Sequence, residues 1–457
     1  MASESWVPVL IAALLVGSAL SGCVGTETNS TTPVEPSTND TQAAPDAPER
    51  AVVADIGPGT NPYHEAFRRP NWTAHPCHSV PGLPCSIPTL NLTFSGDYTE
   101  NLRADEKVWE AYERGQVYWV EQTNLLLWTA RPWDCEDQGV RCSEQPTGRA
   151  SDDGTGSHGA ATAGAVNDAC QRCYVLAVQD GNSLDGGSVR EMARNLTYVD
   201  VATSSFLLGD RSETAFQGDR EFAEATYEVW ESGTPFVAFS GNQVVTGFRP
   251  NVNPFPLAEV QFPPWVYLAG GAHPECDSSE SLAGKPPEVV GDFTQRLPEP
   301  AHVTARSNIS GTSFAAPQIA GELGELLLEL RRSQGPGPPS NSENATMWKG
   351  SPVPDSPLAD GRLQLPELRT AIHHSATYFE TGDYRHECGT QLRTPAGPGP
   401  YVQMGWGYVG DNETERALNV VLGNGELPEK SENAKRFMQA FRDFRETLYP
   451  WPNESES

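Results

Sequence analysis

Nine histidines and a scatter of serines could in principle carry nucleophilic or acid–base chemistry, but one serine has a setting that suits attack. The run Asn308-Ile309-Ser310-Gly311-Thr312-Ser313-Phe314-Ala315-Ala316-Pro317, followed by Gln318-Ile319-Ala320-Gly321, puts Ser313 at the start of a helix. A serine there has its oxygen in the positive end of the helix dipole. A backbone N–H without an intrahelical partner lies beside it, ready for an oxyanion. Pro317 suits a first turn, where no intrahelical donor is lost. Such a serine needs a base. His158, in Gly156-Ser157-His158-Gly159-Ala160-Ala161-Thr162-Ala163-Gly164, opens a helix of small residues that can pack tightly against the helix of Ser313.

The two segments resemble the subtilisin-like serine proteases, whose motifs read G-T-S-x-A-x-P-x-x-A-G and H-G-T-x-V-A-G. Ala160 stands where that family has Thr. The resemblance implies an Asp-His-Ser triad, with Ser313 as nucleophile and His158 as base. It also implies an oxyanion-binding Asn after a buried strand, and Pro235-Phe236-Val237-Ala238-Phe239-Ser240-Gly241-Asn242 matches with Asn242. One such donor is worth about 3 kcal/mol in a transition state. Two carboxylates compete as the acid. Glu121 ends Val117-Tyr118-Trp119-Val120 and lies near the spacing of compact family members. Asp55, in Val52-Val53-Ala54-Asp55-Ile56-Gly57, reproduces the family's strand-D-x-G pattern, and Asn61 to Phe67 its downstream x-x-H-x-x-F element. Asp55 is preferred. It would hold the imidazole tautomer and stabilise the imidazolium. It requires residues 68–150, with four cysteines, to be an insertion. A Glu acid is similar instead to the sedolisins, whose oxyanion residue is Asp. Val199 to Phe206 resembles the strand along the substrate cleft, so Ser204 and Ser205 are expected to line a specificity pocket. Leu207 replaces a usual Gly there. The resemblance covers residues 51–425.

Elements must position these groups. Buried-strand runs occur at 51–54, 117–120, 174–178, 199–202, 235–239 and 266–268. Helical patterns cover 160–165, 220–231 and 318–331. This alternation predicts an α/β fold of three αβα layers around a mostly parallel sheet, as in subtilisins. Residues 333–357 read as a polar, Pro-rich loop. Residues 426–457 read as a C-terminal helix and tail, with Phe437, Phe441, Phe444 and Leu448 on one stripe packing back on the body.

The N-terminus carries the chain's single membrane-like stretch. Residues 7–20 are apolar but too short for a spanning helix, which needs about 20 residues. They lead to Leu20-Ser21-Gly22-Cys23, which resembles a lipobox, although no Lys or Arg precedes the apolar run. The expectation is a lipoprotein signal over 1–22, lipidation at Cys23 and a disordered tether over 23–50. That tether is too polar and Pro-rich to form a folded pro-domain, and the mature protein is expected at the extracellular face of the cell membrane. The other cysteines, Cys77, Cys85, Cys135, Cys142, Cys170, Cys173, Cys276 and Cys388, are even in number, as disulfides require. Cys77–Cys85, Cys135–Cys142 and Cys170–Cys173 are close in sequence, and Cys276–Cys388 follows by elimination.

The net charge of −29 excludes a nucleic-acid binder, since such affinity rests on cations displacing counterions. Peptide or protein substrates are the expected partners. The chemistry requires no cofactor, and metal sites, calcium included, are left unassigned. Two other readings stay open: a surface binding protein on a degenerate protease scaffold, and an acid-type serine-carboxyl peptidase using Glu121.

Overall fold

Asp55 is the fourth residue of a six-residue strand whose side chains are all buried, β1 (Val52–Gly57). The other strands are β2 (Thr89–Leu90), β3 (Val117–Val120), β4 (Leu125–Thr129), β5 (Tyr174–Gln179), β6 (Val201–Ser204), β7 (Phe236–Phe239), β8 (Tyr267–Ala272), β9 (Leu282–Ala283), β10 (Val289–Asp292), β11 (Thr294–Gln295), β12 (Ile309–Ser310), β13 (Met347–Pro352) and β14 (Arg362–Gln364). The computed structural model describes residues 49–57, 59–95, 98–113, 115–129, 155–179, 186–205, 215–240, 263–272, 282–283, 289–292, 294–295, 309–310, 312–334, 347–352, 362–378 and 405–452. All of them lie in one unit, residues 44–457.

The main sheet runs β10-β8-β7-β6-β1-β5-β4-β3-β2, with β9 on the far end of β8. From β10 to β4 every neighbouring pair is parallel, and β3 runs antiparallel to β4. Parallel strands are buried on both faces, which is why they read as unbroken apolar runs. β1 pairs with β5 on one side and with β6 on the other. The chain therefore reverses direction around β1, and open α/β sheets part at the carboxyl ends of the strands at such a switch point.

The helices are α1 (Tyr98–Ala104), α2 (Glu106–Glu110), α3 (Thr155–Ala169), α4 (Gly187–Asn195), α5 (Ala215–Glu231), α6 (Thr312–Gln334), α7 (Leu365–Ser375), α8 (Asp411–Val421) and α9 (Glu432–Leu448). Strand alternation assigns them to faces. Val53 packs on α6, and its register partner Val201 points the same way. The next pair, Ala54 and Ala202, points the other way together with Phe236, whose ring meets Phe222 of α5. Asp55, two residues after Val53, thus faces α3 and α6. The expected αβα layering is present. Among the described residues no helix is long and apolar enough to cross a membrane.

Helices α3 and α6 cross closely. A Cβ on Gly321 would come within 2.6 Å of the Ala169 Cβ, and one on Gly324 within 2.9 Å of the Val53 side chain. The small residues noted in the sequence permit this approach. The far end of α6 is tied down by Arg331, which donates to Asp200 at 2.7 Å, while Asp200 also accepts the Val52 N–H at 2.8 Å.

Three expectations change. Residues 89–129 supply β2, β3 and β4 to the sheet itself, and β4 (Leu-Leu-Leu-Trp-Thr) was not among the expected strands. Its three leucines suit a buried helix as well as a strand, and period alone does not separate the two in so short a run. Within 333–357, Met347–Pro352 is a strand paired with β14. The C-terminal helix starts later than expected, where the Ser431 hydroxyl caps the Ala434 N–H. It does pack back: Phe437 and Phe441 are buried, Phe444 is partly buried, and the Arg445 guanidinium donates to the carbonyls of Pro263 and Val266.

Candidate active site

The acid candidate sits on β1, which is buried throughout and paired on both sides. Asp55 is held between Ala177 of β5 and Thr203 of β6. Its carboxylate accepts a 2.7 Å hydrogen bond from the Thr162 hydroxyl, and that hydroxyl also lies 3.1 Å from the Gly159 carbonyl. Burial pushes the Asp55 carboxyl up to about 7, and the Thr162 hydrogen bond pulls it back down in part. Thr162 carried no signal in the sequence beyond its helical spacing from His158.

His158 stands four residues before Thr162 on α3. Residues four apart on a helix share a face, so the helix that gives Asp55 a hydroxyl turns its histidine the same way, one turn nearer its N-terminus. Burial lowers the His158 pKa and favours the neutral imidazole that a general base requires. The imidazole lies 5.6 Å, centre to centre, from the ring of Phe314, the residue after Ser313. Phe314 and Ala161 form a small buried apolar cluster of their own between the two helix starts.

Ser313 is the second residue of α6 and is buried to 8 % exposure. Its N–H is therefore one of the four at a helix start without an intrahelical acceptor. Pro317 is the sixth residue of α6, not part of its first turn. A proline there removes the N–H that would reach the carbonyl four residues back, and that carbonyl belongs to Ser313. The Ser205 hydroxyl donates to it at 2.6 Å instead. Ser205 was expected to line a substrate pocket together with Ser204. Both are buried, and the Ser205 hydroxyl is directed at the nucleophile's own backbone.

The remaining expected residues divide by place. Asn242 lies outside the described residues. Ser240, the last described residue before it, follows β7 at the sheet edge where Ser205 follows β6. Glu121 follows β3, which runs antiparallel to β4. It therefore emerges at the amino-terminal edge of the parallel strands. It is three strands from β1, about 14 Å across the sheet, and about 10 Å along it from the level of Asp55. It does not join His158. The number of residues separating it from His158 had suggested otherwise, because spacing carries no strand direction.

Cys77–Cys85 and Cys170–Cys173 are disulfides. Cys23, Cys135, Cys142, Cys276 and Cys388 lie outside the described residues. Among the described residues one group has metal-ligand chemistry: His75, Cys77 and Cys85, whose ligand atoms lie within 4.8 Å of one another. Both sulfurs are committed to their mutual bond.

The similar solved structures include proteases. A PatG macrocyclase domain is 13% identical, with 82% of this chain and 92% of that one covered and a TM-score of 0.42. A lanthipeptide protease is 11% identical, with coverage of 80% and 88% and a TM-score of 0.42. A cold adapted subtilisin-like serine proteinase is 15% identical, with coverage of 69% and 88% and a TM-score of 0.32. No family model matches the sequence, and no curated protein does. Likeness at this level leaves the case for function with the residues.

Proposed function

We propose that this chain is a serine endopeptidase of the subtilisin-like class, working through Ser313, His158 and Asp55. Ser313 Oγ attacks the scissile carbonyl while His158 takes its proton. The resulting oxyanion is bound by the Ser313 N–H and the Asn242 side chain. Collapse breaks the C–N bond, His158 gives the proton to the leaving amine, and an acyl-enzyme remains. Water, activated by the same imidazole, then hydrolyses the ester. Asp55 keeps the imidazole in the right tautomer and offsets its transient charge. No cofactor enters these steps.

One observation carries the reading: the starts of α3 and α6 meet through His158 and Phe314, the neighbour of Ser313, while Thr162, one helical turn on from His158, hydrogen-bonds the buried carboxylate of Asp55. The placement of Glu121 weighs against the acid-type alternative. Export with a lipid anchor at Cys23, facing the cell exterior, belongs to the same proposal. It is supported by the apolar run before Leu20-Ser21-Gly22-Cys23 and by two disulfides, which persist in oxidising compartments.

A fluorophosphonate probe tests the chemistry. The wild-type chain should be labelled, with the adduct mapping to Ser313, and Ser313→Ala should lose labelling and peptide hydrolysis while melting within about 2 °C of wild type. An unlabelled but folded wild type would favour the binding-protein alternative. Labelling that persists in Ser313→Ala would remove the assignment.

A further inference from the structure

We infer that Ser205 is a positioning residue for the nucleophile, holding the Ser313 peptide through its carbonyl in place of the hydrogen bond that Pro317 cannot donate. This rests on the reading of Ser313 as the nucleophile and goes beyond it. The geometry has three parts. Pro317 lies four residues after Ser313 within α6, so the helix itself offers the Ser313 carbonyl no N–H from that position. Ser205 is 5% exposed and donates to that carbonyl at 2.6 Å across a sequence gap of 108 residues. Ser205 also leaves directly from β6, which is paired on both sides, Ser204 lying opposite Ile56 of β1 and Ala238 of β7.

The consequence is mechanical. The first turn of a helix has few intrahelical bonds and frays easily. Here that turn carries both Oγ and the N–H that meets the oxyanion, on a single residue. A bond from the clamped end of β6 ties this peptide to the strand next to that of Asp55. The acid and the nucleophile thereby share one rigid support. Misplacement of a reacting group by about 1 Å can cost about 100-fold in rate.

A double-mutant cycle with a fluorophosphonate reads this out without knowledge of the natural substrate. Ser205→Ala should lower the maximal inactivation rate, kinact, by about ten-fold while the probe's half-saturation constant stays within about two-fold. Pro317→Ala restores an N–H four residues after Ser313. In that background Ser205→Ala should cost less than about three-fold, because the helix then supplies the missing bond. A merely structural hydroxyl would lower Tm in both backgrounds and leave kinact unchanged, and that result overturns the inference. Equal loss of kinact in both backgrounds does so as well. A wild type that is not labelled at Ser313 overturns the nucleophile reading along with it, whereas a labelled wild type indifferent to Ser205→Ala overturns this inference alone.

Discussion

The two edges of the central sheet treat buried carboxylates in opposite ways. At the amino-terminal edge Asp200 is almost fully buried, yet it meets the Arg331 guanidinium and the Val52 N–H, and Arg331 also reaches Glu49. At the carboxyl-terminal edge Asp55 is also buried, and its carboxylate accepts from the neutral hydroxyl of Thr162. The first arrangement neutralises charge and ties α6 to the sheet. The second leaves a carboxyl pushed up to about 7, sensitive to whatever cation forms beside it. A protein gains nothing in stability from such a group. It is the kind of site where burial is spent on reactivity.

The sharpest way to break this contrast is Asp55→Asn. Turnover should fall by about 10⁴-fold, because an amide favours the wrong imidazole tautomer. Stability should move the other way. The native pKa lies above the unfolded value, so between about pH 4 and pH 7 the folded chain holds a proton that the unfolded chain has lost. Wild-type stability therefore falls as pH rises through that window, and the variant lacks this slope. Urea melts at pH 5 and pH 9 should show the variant gaining about 2–4 kcal/mol on wild type at the higher pH. Glu121→Gln is the control and should change turnover by less than about two-fold. A reversal of the two activity effects would move the acid to Glu121.

Arg331→Met probes the other edge. It strands Asp200 in the interior and should cost about 3–5 kcal/mol in a denaturant melt. Turnover per folded molecule should change little, since Arg331 sits at the end of α6 remote from Ser313. A loss of turnover larger than the loss of folded protein would show that the two edges are coupled.

Thr162→Val sharpens the contrast with the smallest expected effect. Removing the hydroxyl takes away the one bond that lowers the Asp55 pKa, so the acid limb of the kcat/KM profile should move to higher pH. Activity should fall about ten-fold at pH 6 and less at pH 9. Thr162→Ser should retain the wild-type profile. An unshifted limb in Thr162→Val would make the hydroxyl a packing feature.

How far the site was legible follows the range of its interactions. Ser313 and His158 lie in contiguous segments with helix-start signals, and both stand where those signals place them. Asp55 was separable from Glu121 by its strand context, but the distance of Glu121 across and along the sheet from Asp55 emerged only from the antiparallel pairing of β3, a property that spacing does not carry. β4 went unseen because its three leucines suit a buried helix as well as a strand, whereas the runs that were read as strands carry valine. Thr162 was visible as the residue one turn beyond His158, yet nothing local says that a carboxylate lies opposite. Pro317 reads from sequence as a first-turn residue that costs no donor; only its place as the sixth residue of α6 leaves the Ser313 carbonyl without one, and the donor that serves it, Ser205, lies 108 residues away in the chain and was given a different task.

The glycine crossing of α3 and α6 acts as the fulcrum of a pair of levers. Gly321 meets α3 near Val166 and Ala169. Ser313 lies eight residues from that pivot, and His158 eight residues from Val166, arms of about 12 Å each at 1.5 Å per residue. A rocking of about 5° at the crossing would swing either tip by about 1 Å, the displacement at which orientation-dependent catalysis begins to fail. Angular play at a contact far from the chemistry is thus multiplied at the reacting atoms. Any Cβ at Gly321 would act as a wedge under the fulcrum, changing the gap between base and nucleophile without touching either.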